Sequence, residues 1–258
     1  GPQGVREAVR CAAEHVHDVY LTPETAERHG EILAEAEAAG LHTHMAAPEV
    51  VGAMSTDAQG VIAVVGTEAL AGGAGLADVL TGAHLVAVLT QTQDPGNAGT
   101  IIRTADAAGA DAVVLVRGGV DPTGPKVVRA TAGSLFHLPV LAGEGLEAVV
   151  EALRSAGLQL LAADGRGRTD LFDADGLLAA PTAWMLGNEA RGLAPGVVSR
   201  ADTVVSIPLY GRAESLNVAS AAAVCLYASQ RARGTGRPDG AVDRRGGARA
   251  GTVVRWHD

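Results

Sequence analysis

The sequence predicts an α/β fold built on a parallel sheet. Three observations carry that expectation. Strand-length apolar runs lack polar alternation, as in His84-Leu85-Val86-Ala87-Val88-Leu89, and such runs need burial on both faces. Segments between them carry apolar residues at helical spacing. Gly, Pro and Asn punctuate the joints.

The elements follow in order. Val5, Val9, Ala12 and Val16 recur at helical spacing, and residues 18–21 read as a short strand. Thr22-Pro23-Glu24 is a helix start: a capping hydroxyl, Pro in the first turn and an acid at the positive dipole end. That helix runs through Ile32, Leu33 and Ala36 to Gly40. Residues 41–45 and 61–65 read as strands, with a short helix at 48–54. The Gly- and Ala-rich stretch 66–82 is the expected domain boundary. Beyond it, strand 84–89 leads through the turn Asp94-Pro95-Gly96-Asn97 to a helix from about Thr100 to Ala108. Further strands are expected at 112–116, 138–141, 158–162, 183–186 and 203–207, with helices between them. A last long helix starts near Leu216. The expected domains are 1–75, 80–231 and a Gly/Arg-rich flexible tail at 232–258.

Composition excludes several classes. The chain has 258 residues, Lys+Arg 20 against Asp+Glu 29, and a net charge of -9. Seven Arg against three Asp from Arg231 onward leave the preceding body more acidic, at -13. This is no broadly basic nucleic-acid coat; any nucleic-acid contact must use a local Arg patch on an acidic body. Lys126 is the single Lys. The longest apolar run, 219–228, is too short to span a bilayer. No basic-then-apolar signal opens the chain, and a cytoplasmic location is expected. Cys11 and Cys225 lack metal or redox spacing and read as buried thiols. His15/His17 and His42/His44 are spaced to share strand faces, but neither pair carries the spacing of a full ligand set, so no metal site is expected. His137 reads as structural.

Three loops, each following a buried strand, carry candidate chemistry, because ligands of open α/β sheets bind at the carboxyl ends of strands. In the first, Asp94 to Ala105, Pro95 and Gly96 force a turn and Asn97 can cap the following helix. Arg103 is placed one turn into that helix, where a guanidinium could fork onto an anion at the N-terminus. A plain strand-turn-helix joint accounts for the segment equally well. No GxGxxG is present, and Pro125 spoils the only stretch like a phosphate loop, 119–126. In the second, Leu186-Gly187-Asn188-Glu189-Ala190-Arg191-Gly192-Leu193, polar side chains are hemmed in by two Gly; the bland alternative is a turn with a Glu189–Arg191 ion pair. In the third, Ile207-Pro208-Leu209 leads to Glu214-Ser215-Leu216-Asn217 and an apolar helix, which Ser215 can cap.

Together and in this order, the loops resemble the three motifs of the SpoU (TrmH-type) branch of the SPOUT RNA methyltransferases. The likeness covers residues 84–229 and includes Arg129-Ala130-Thr131-Ala132-Gly133-Ser134-Leu135-Phe136 between motifs one and two. The first domain is similar, more loosely, to the family's ribosomal-protein-L30e-like substrate-binding domain. Residues 1–8 resemble the point just after that domain's first strand, so a clipped N-terminus is expected. Two departures stand out: Asp94-Pro95 where many relatives have Asn-Pro, and Ala190 where Gly is usual.

The resemblance implies a SPOUT catalytic domain with a C-terminal trefoil knot, against the rule that chains do not thread loops. It implies a homodimer that transfers methyl from S-adenosyl-L-methionine to a ribose 2′-hydroxyl of RNA, with ribosomal RNA, in particular 23S, favoured over transfer RNA. Leu186, Gly187, Asn188, Gly192, Ile207, Pro208, Leu209 and Leu216 would hold the cofactor. Arg103 would bind the phosphate beside the target ribose and polarise the hydroxyl, since a guanidinium keeps its proton and makes a poor base. Ser215 and Asn217 would orient hydroxyl and cofactor, Glu189 would position an Arg, and Asn97 would fix the first loop. Arg103, Arg129, Arg191 and Arg212 would contact RNA. A transfer-RNA target, a non-catalytic knotted RNA-binding module and a nucleotide-binding α/β enzyme are the alternatives; the last leaves the second and third loops unexplained.

Overall fold

The computed structural model describes residues 1–188 and 191–234. The N-terminal part runs α1 (Pro2–Cys11), β1 (Val16–Leu21), α2 (Pro23–Arg28), α3 (Gly30–Ala38), β2 (His42–Met45), α4 (Pro48–Met54) and β3 (Val61–Val65). β1 is the middle strand, parallel to β2 and antiparallel to β3. Val19, Leu21, Ile32, Ala36 and Val61 form its dry core with Val5 and Val9 of α1. Thr22 caps α2 as its sequence predicts, accepting from the Thr25 N–H. The helix expected over 22–40 is broken at His29, whose backbone leaves the helical region just before Gly30. His15 lies in a 3-10 turn before β1, so it shares no strand face with His17.

The larger part runs α5 (Leu76–Leu80), β4 (Leu85–Leu89), α6 (Pro95–Ala107), β5 (Ala112–Leu115), α7 (Pro125–Ala130), β6 (Val140–Ala142), α8 (Leu146–Ser155), β7 (Gln159–Ala163), β8 (Thr169–Asp170), α9 (Asp175–Leu178), β9 (Thr182–Leu186), α10 (Pro195–Val198), β10 (Thr203–Ser206) and α11 (Val218–Gly234). The sheet order is β6-β5-β4-β9-β7-β10-β8, and every pairing is parallel. All five residues of β4 and all five of β9 are buried, as the unalternating runs require. One core layer holds Leu85, Leu89, Ile101, Trp184 and Leu226; the other holds Val86, Val88, Leu80, Leu153 and Met185. Leu80 places α5 in that second layer, so the second half of the Gly/Ala-rich boundary packs with the large sheet. Trp184 is fully buried and its indole N–H donates to Ser229 Oγ at 2.9 Å, tying β9 to α11.

Gly99 lets α6 cross α7 closely: a Cβ there would stand 2.5 Å from Ala130 Cβ and 2.8 Å from the Val127 carbonyl. α11 continues to Gly234, past the expected domain end at 231. Residues 235–258 of the expected tail lie outside the described residues. Cys225 is buried, as expected, and burial pushes its thiol far up; Cys11 is exposed instead, because it ends α1 on the outer surface.

Side chains link the two parts. Arg129 of α7 forms an ion pair with Asp57. His137 stands between Asp106 of α6 (Nδ1 to Oδ2, 2.7 Å) and Glu7 of α1 (Nε2 to Oε2, 3.1 Å). Burial opposes charge on this ring, but the hydrogen bonds to Asp106 and Glu7 outweigh it and raise its pKa. A cavity of about 480 Å³ opens between the parts, lined in part by Val5, Ile62, Val65, Arg129 and Phe136. It lies away from the three candidate loops.

Candidate active site

The three loops leave the large sheet at the carboxyl ends of β4, β9 and β10. Each is anchored by hydrogen bonds that its own sequence supplies.

α6 starts at Pro95, five residues before the expected start. Asp94 is its cap, with Oδ1 accepting from the Asn97 N–H at 2.7 Å, and Pro95 follows in the first turn. Asn97 is therefore inside the first turn and not the cap. Arg103 is correspondingly more than two turns in, not one, too far to share the first-turn N–H groups with a bound anion. It is exposed, on the same helix face as exposed Gly96 and Thr100. Among the described residues, no hydrogen bond or ion pair engages its guanidinium.

α11 starts at Val218, and its cap is Asn217 rather than Ser215. Asn217 Oδ1 accepts from the Ala219 N–H at 2.8 Å and the Ser220 N–H at 3.3 Å, while its carbonyl accepts from Ala221. Backbone donors fix which amide atom is oxygen, so the Nδ2 must be the atom facing Asn97. It donates to Asn97 Oδ1 at 2.9 Å, across 120 residues of chain. The positive ends of two helices thus stand side by side. This amide pair joins motif one to motif three where α6 and α11 pack in one core layer.

The second loop closes on itself. Asn188 and Gly192 exchange both backbone hydrogen bonds at 2.9 Å, and the Asn188 side chain accepts from the Arg191 N–H. Its Nδ2 donates to the Gln91 carbonyl at 3.0 Å, bracing the loop against the segment after β4. The Leu186 carbonyl accepts from both the N–H and the hydroxyl of Thr90, so its lone pairs are spent on the protein. Gly187 lies against the returning chain: a Cβ would meet Gly192 backbone atoms at 2.5 and 2.6 Å and the Leu193 nitrogen at 2.7 Å. Gly187→Ala is expected to cost up to about 3 kcal/mol, since backbone cannot yield as a side chain would. Thermal unfolding together with cofactor calorimetry checks this: both stability and affinity should fall. Glu189 lies outside the described residues, and so does any Glu189–Arg191 pair.

In the third loop, residues 207–217 have no regular structure, and 209–217 are exposed. Leu209 and Leu216 are 40% exposed and Tyr210 is 89% exposed. Ser215 and Arg212 are exposed and make no hydrogen bond or ion pair among the described residues. Ile207 and Pro208 are half-buried where β10 ends, and Ile207 packs against the core. Arg191 is exposed; Arg129 shares its charge with Asp57. A strand-loop segment with apolar side chains beside open backbone suits a flat heterocycle with polar edges, which is the shape of an adenosine. The residues present therefore fit the cofactor the sequence implies, with Leu209 and Leu216 available as apolar contacts. The Leu186 carbonyl and the Gly187 backbone also shape the loop.

A parallel sheet with its site at the strand carboxyl ends defines an α/β ligand-binding protein of the open-sheet kind. The SpoU rRNA methylase family matches residues 84–227, and the RNA 2′-O ribose methyltransferase substrate-binding family matches residues 1–69. The chain belongs to the SpoU rRNA methylase family. It is 32% identical over 237 residues to the 23S rRNA (guanosine-2′-O-)-methyltransferase RlmB of Bordetella pertussis, covering 90% of this chain and 96% of that protein. It is 41% identical over 149 residues to the uncharacterized tRNA/rRNA methyltransferase slr1673 of Synechocystis, but spans only 54% of that protein's length. The SpoU methyltransferase AviRb of Streptomyces viridochromogenes, solved in complex with AdoMet, superposes with a TM-score of 0.77 at 32% identity, over 92% of this chain and 90% of that one.

Proposed function

We propose that this chain methylates a ribose 2′-hydroxyl of 23S ribosomal RNA with S-adenosylmethionine as donor. The observation that carries the reading is the Asn97–Asn217 hydrogen bond, which joins motifs one and three into one site at two helix N-termini. When bound, S-adenosylmethionine supplies an activated methyl group on a sulfonium centre. The chain's own residues do the rest. Leu209, Leu216 and the backbone of 207–216 grip the adenosine, with Asn188 bracing the neighbouring loop through Gln91. Arg103, exposed and without a carboxylate partner among the described residues, binds the phosphate beside the target ribose and polarises the hydroxyl. Ser215 presents a hydroxyl to the same place. Asn217 and Asn97 fix the distance between the two loops, so that acceptor and donor approach in line.

Residues 1–75 serve as the RNA substrate-binding domain and 80–231 as the methyltransferase. RNA affinity comes from Arg103, Arg191 and Arg212, with Arg129 divided between RNA and Asp57. The C-terminal part carries the trefoil knot that membership of the family implies. The active form is a homodimer, in which exposed Tyr210 and Tyr227 are covered by the partner. The protein works in the cytoplasm; no described helix is long and apolar enough to cross a membrane. Calorimetry with S-adenosylmethionine, followed by methyl incorporation into 23S RNA and transfer RNA, tests the reading. Binding with incorporation into 23S RNA is expected. Binding without incorporation would indicate a non-catalytic module, and incorporation into transfer RNA alone would move the target.

A further inference from the structure

His137 is absorbed by none of the motifs, yet three charged or ligating side chains converge on it. Glu7 and Cys11 stand four residues apart on α1, the spacing that puts two ligands on one helix face. His137 reaches them from the other side of the junction between the two parts. One donor atom each from Glu7, Cys11 and His137 lies within 4.8 Å of the other two. We propose that Glu7, Cys11 and His137 bind a zinc ion that clips α1 to the methyltransferase sheet, Asp106 orienting the histidine.

The donor set favours that metal. Imidazole and thiolate ligands select zinc over magnesium or calcium, and three protein ligands with a water complete a tetrahedron. Ligand bonds of about 2.0–2.3 Å put the donor atoms of a tetrahedron roughly 3.3–3.8 Å apart, so rotations of partly exposed side chains close the remaining gap. His137 Nδ1 already donates to Asp106 at 2.7 Å, which is the carboxylate–histidine arrangement that holds a metal-binding ring in its tautomer. The Nε2 is left toward Glu7 and Cys11. Binding replaces the protons on Cys11 Sγ and on His137 Nε2, and both leave to solvent. The sequence gives no sign of the site, because Glu7 and His137 are 130 positions apart.

The test uses the untagged full chain, stripped of metal and titrated with Co²⁺, then with Zn²⁺ in competition. One equivalent of Co²⁺ should bind with a thiolate-to-cobalt charge-transfer band and tetrahedral visible absorption, both erased by Zn²⁺. Cys11→Ser should remove the charge-transfer band with no change in circular dichroism, since Cys11 is exposed. Glu7→Gln should weaken binding at least tenfold, and Asp106→Asn by roughly 10–100-fold. Absence of the band in the native chain, or its survival in Cys11→Ser, overturns the proposal; Cys225 is buried and cannot stand in. Cofactor affinity should be unchanged in Cys11→Ser, so this outcome is separate from that of the methyl-transfer reading.

Discussion

Replacing Arg103 by Ala should slow methyl transfer in a single turnover by roughly 10²–10³-fold, the scale expected for losing one placed electrostatic contact to the reacting group. Melting temperature and S-adenosylmethionine affinity should stay close to native. Arg103 is exposed on α6 and makes no hydrogen bond or ion pair among the described residues, so its removal leaves no buried cavity and no orphaned partner among them. Arg103→Lys should recover only part of the rate, because a compact ammonium cannot fork onto a phosphate. Stopped reactions on 23S RNA, with a salt series beside them, make the measurement. The salt dependence of RNA binding should become shallower by about one ion in Arg103→Ala. Full activity in Arg103→Ala would remove this residue from the mechanism.

Asn217 offers the second large effect, and two variants divide its roles. Asn217→Ala loses both the α11 cap and the donor to Asn97. It should cost about 1–2 kcal/mol of stability and slow methyl transfer by roughly 10²-fold, as a misplacement near 1 Å would. Asn217→Asp keeps an acceptor for the Ala219 and Ser220 N–H groups, so α11 stays capped and stability stays near native. It sets an oxygen against Asn97 Oδ1 where an N–H stood, and the two loops separate. The rate should therefore fall in both variants, while the melting temperature falls only in Asn217→Ala. If Asn217→Asp were fully active, the amide bridge would have no part in the reaction.

The fold was legible wherever burial leaves a one-dimensional trace. β4 and β9 announce themselves as unalternating apolar runs because both faces of a central strand are covered. Boundaries governed by local caps were legible in part. Thr22-Pro23 marks α2 correctly, and the same signature, an acid or hydroxyl before Pro, stands at Asp94-Pro95. There, reading the Pro-Gly pair as a turn moved the start of α6 five residues too late and brought Arg103 falsely close to the helix end. Ser215 and Asn217 are equally good caps by type; where the backbone enters α11 decides between them, and that depends on the pairing with Asn97. The break at His29 was signalled only by the Gly that follows it.

The motif residues themselves were legible, but not their division of labour. Gly99 and Gly187 look like permissive loop residues, yet each is required by a chain passing within 3 Å of where a Cβ would be. Asn188 reads as a ligand contact and is seen bracing its loop to Gln91. The His137 cluster was invisible, because its members come from α1, α6 and the turn before β6, and only the fold brings them together.

The account stands most directly on where the methyl group goes. Unmodified 23S RNA incubated with the protein and S-adenosylmethionine, then digested to nucleosides for mass spectrometry, gives the answer. The predicted result is a 2′-O-methylated nucleoside, absent from the Arg103→Ala reaction. A methyl group on a base, or none on the RNA despite bound cofactor, would contradict it.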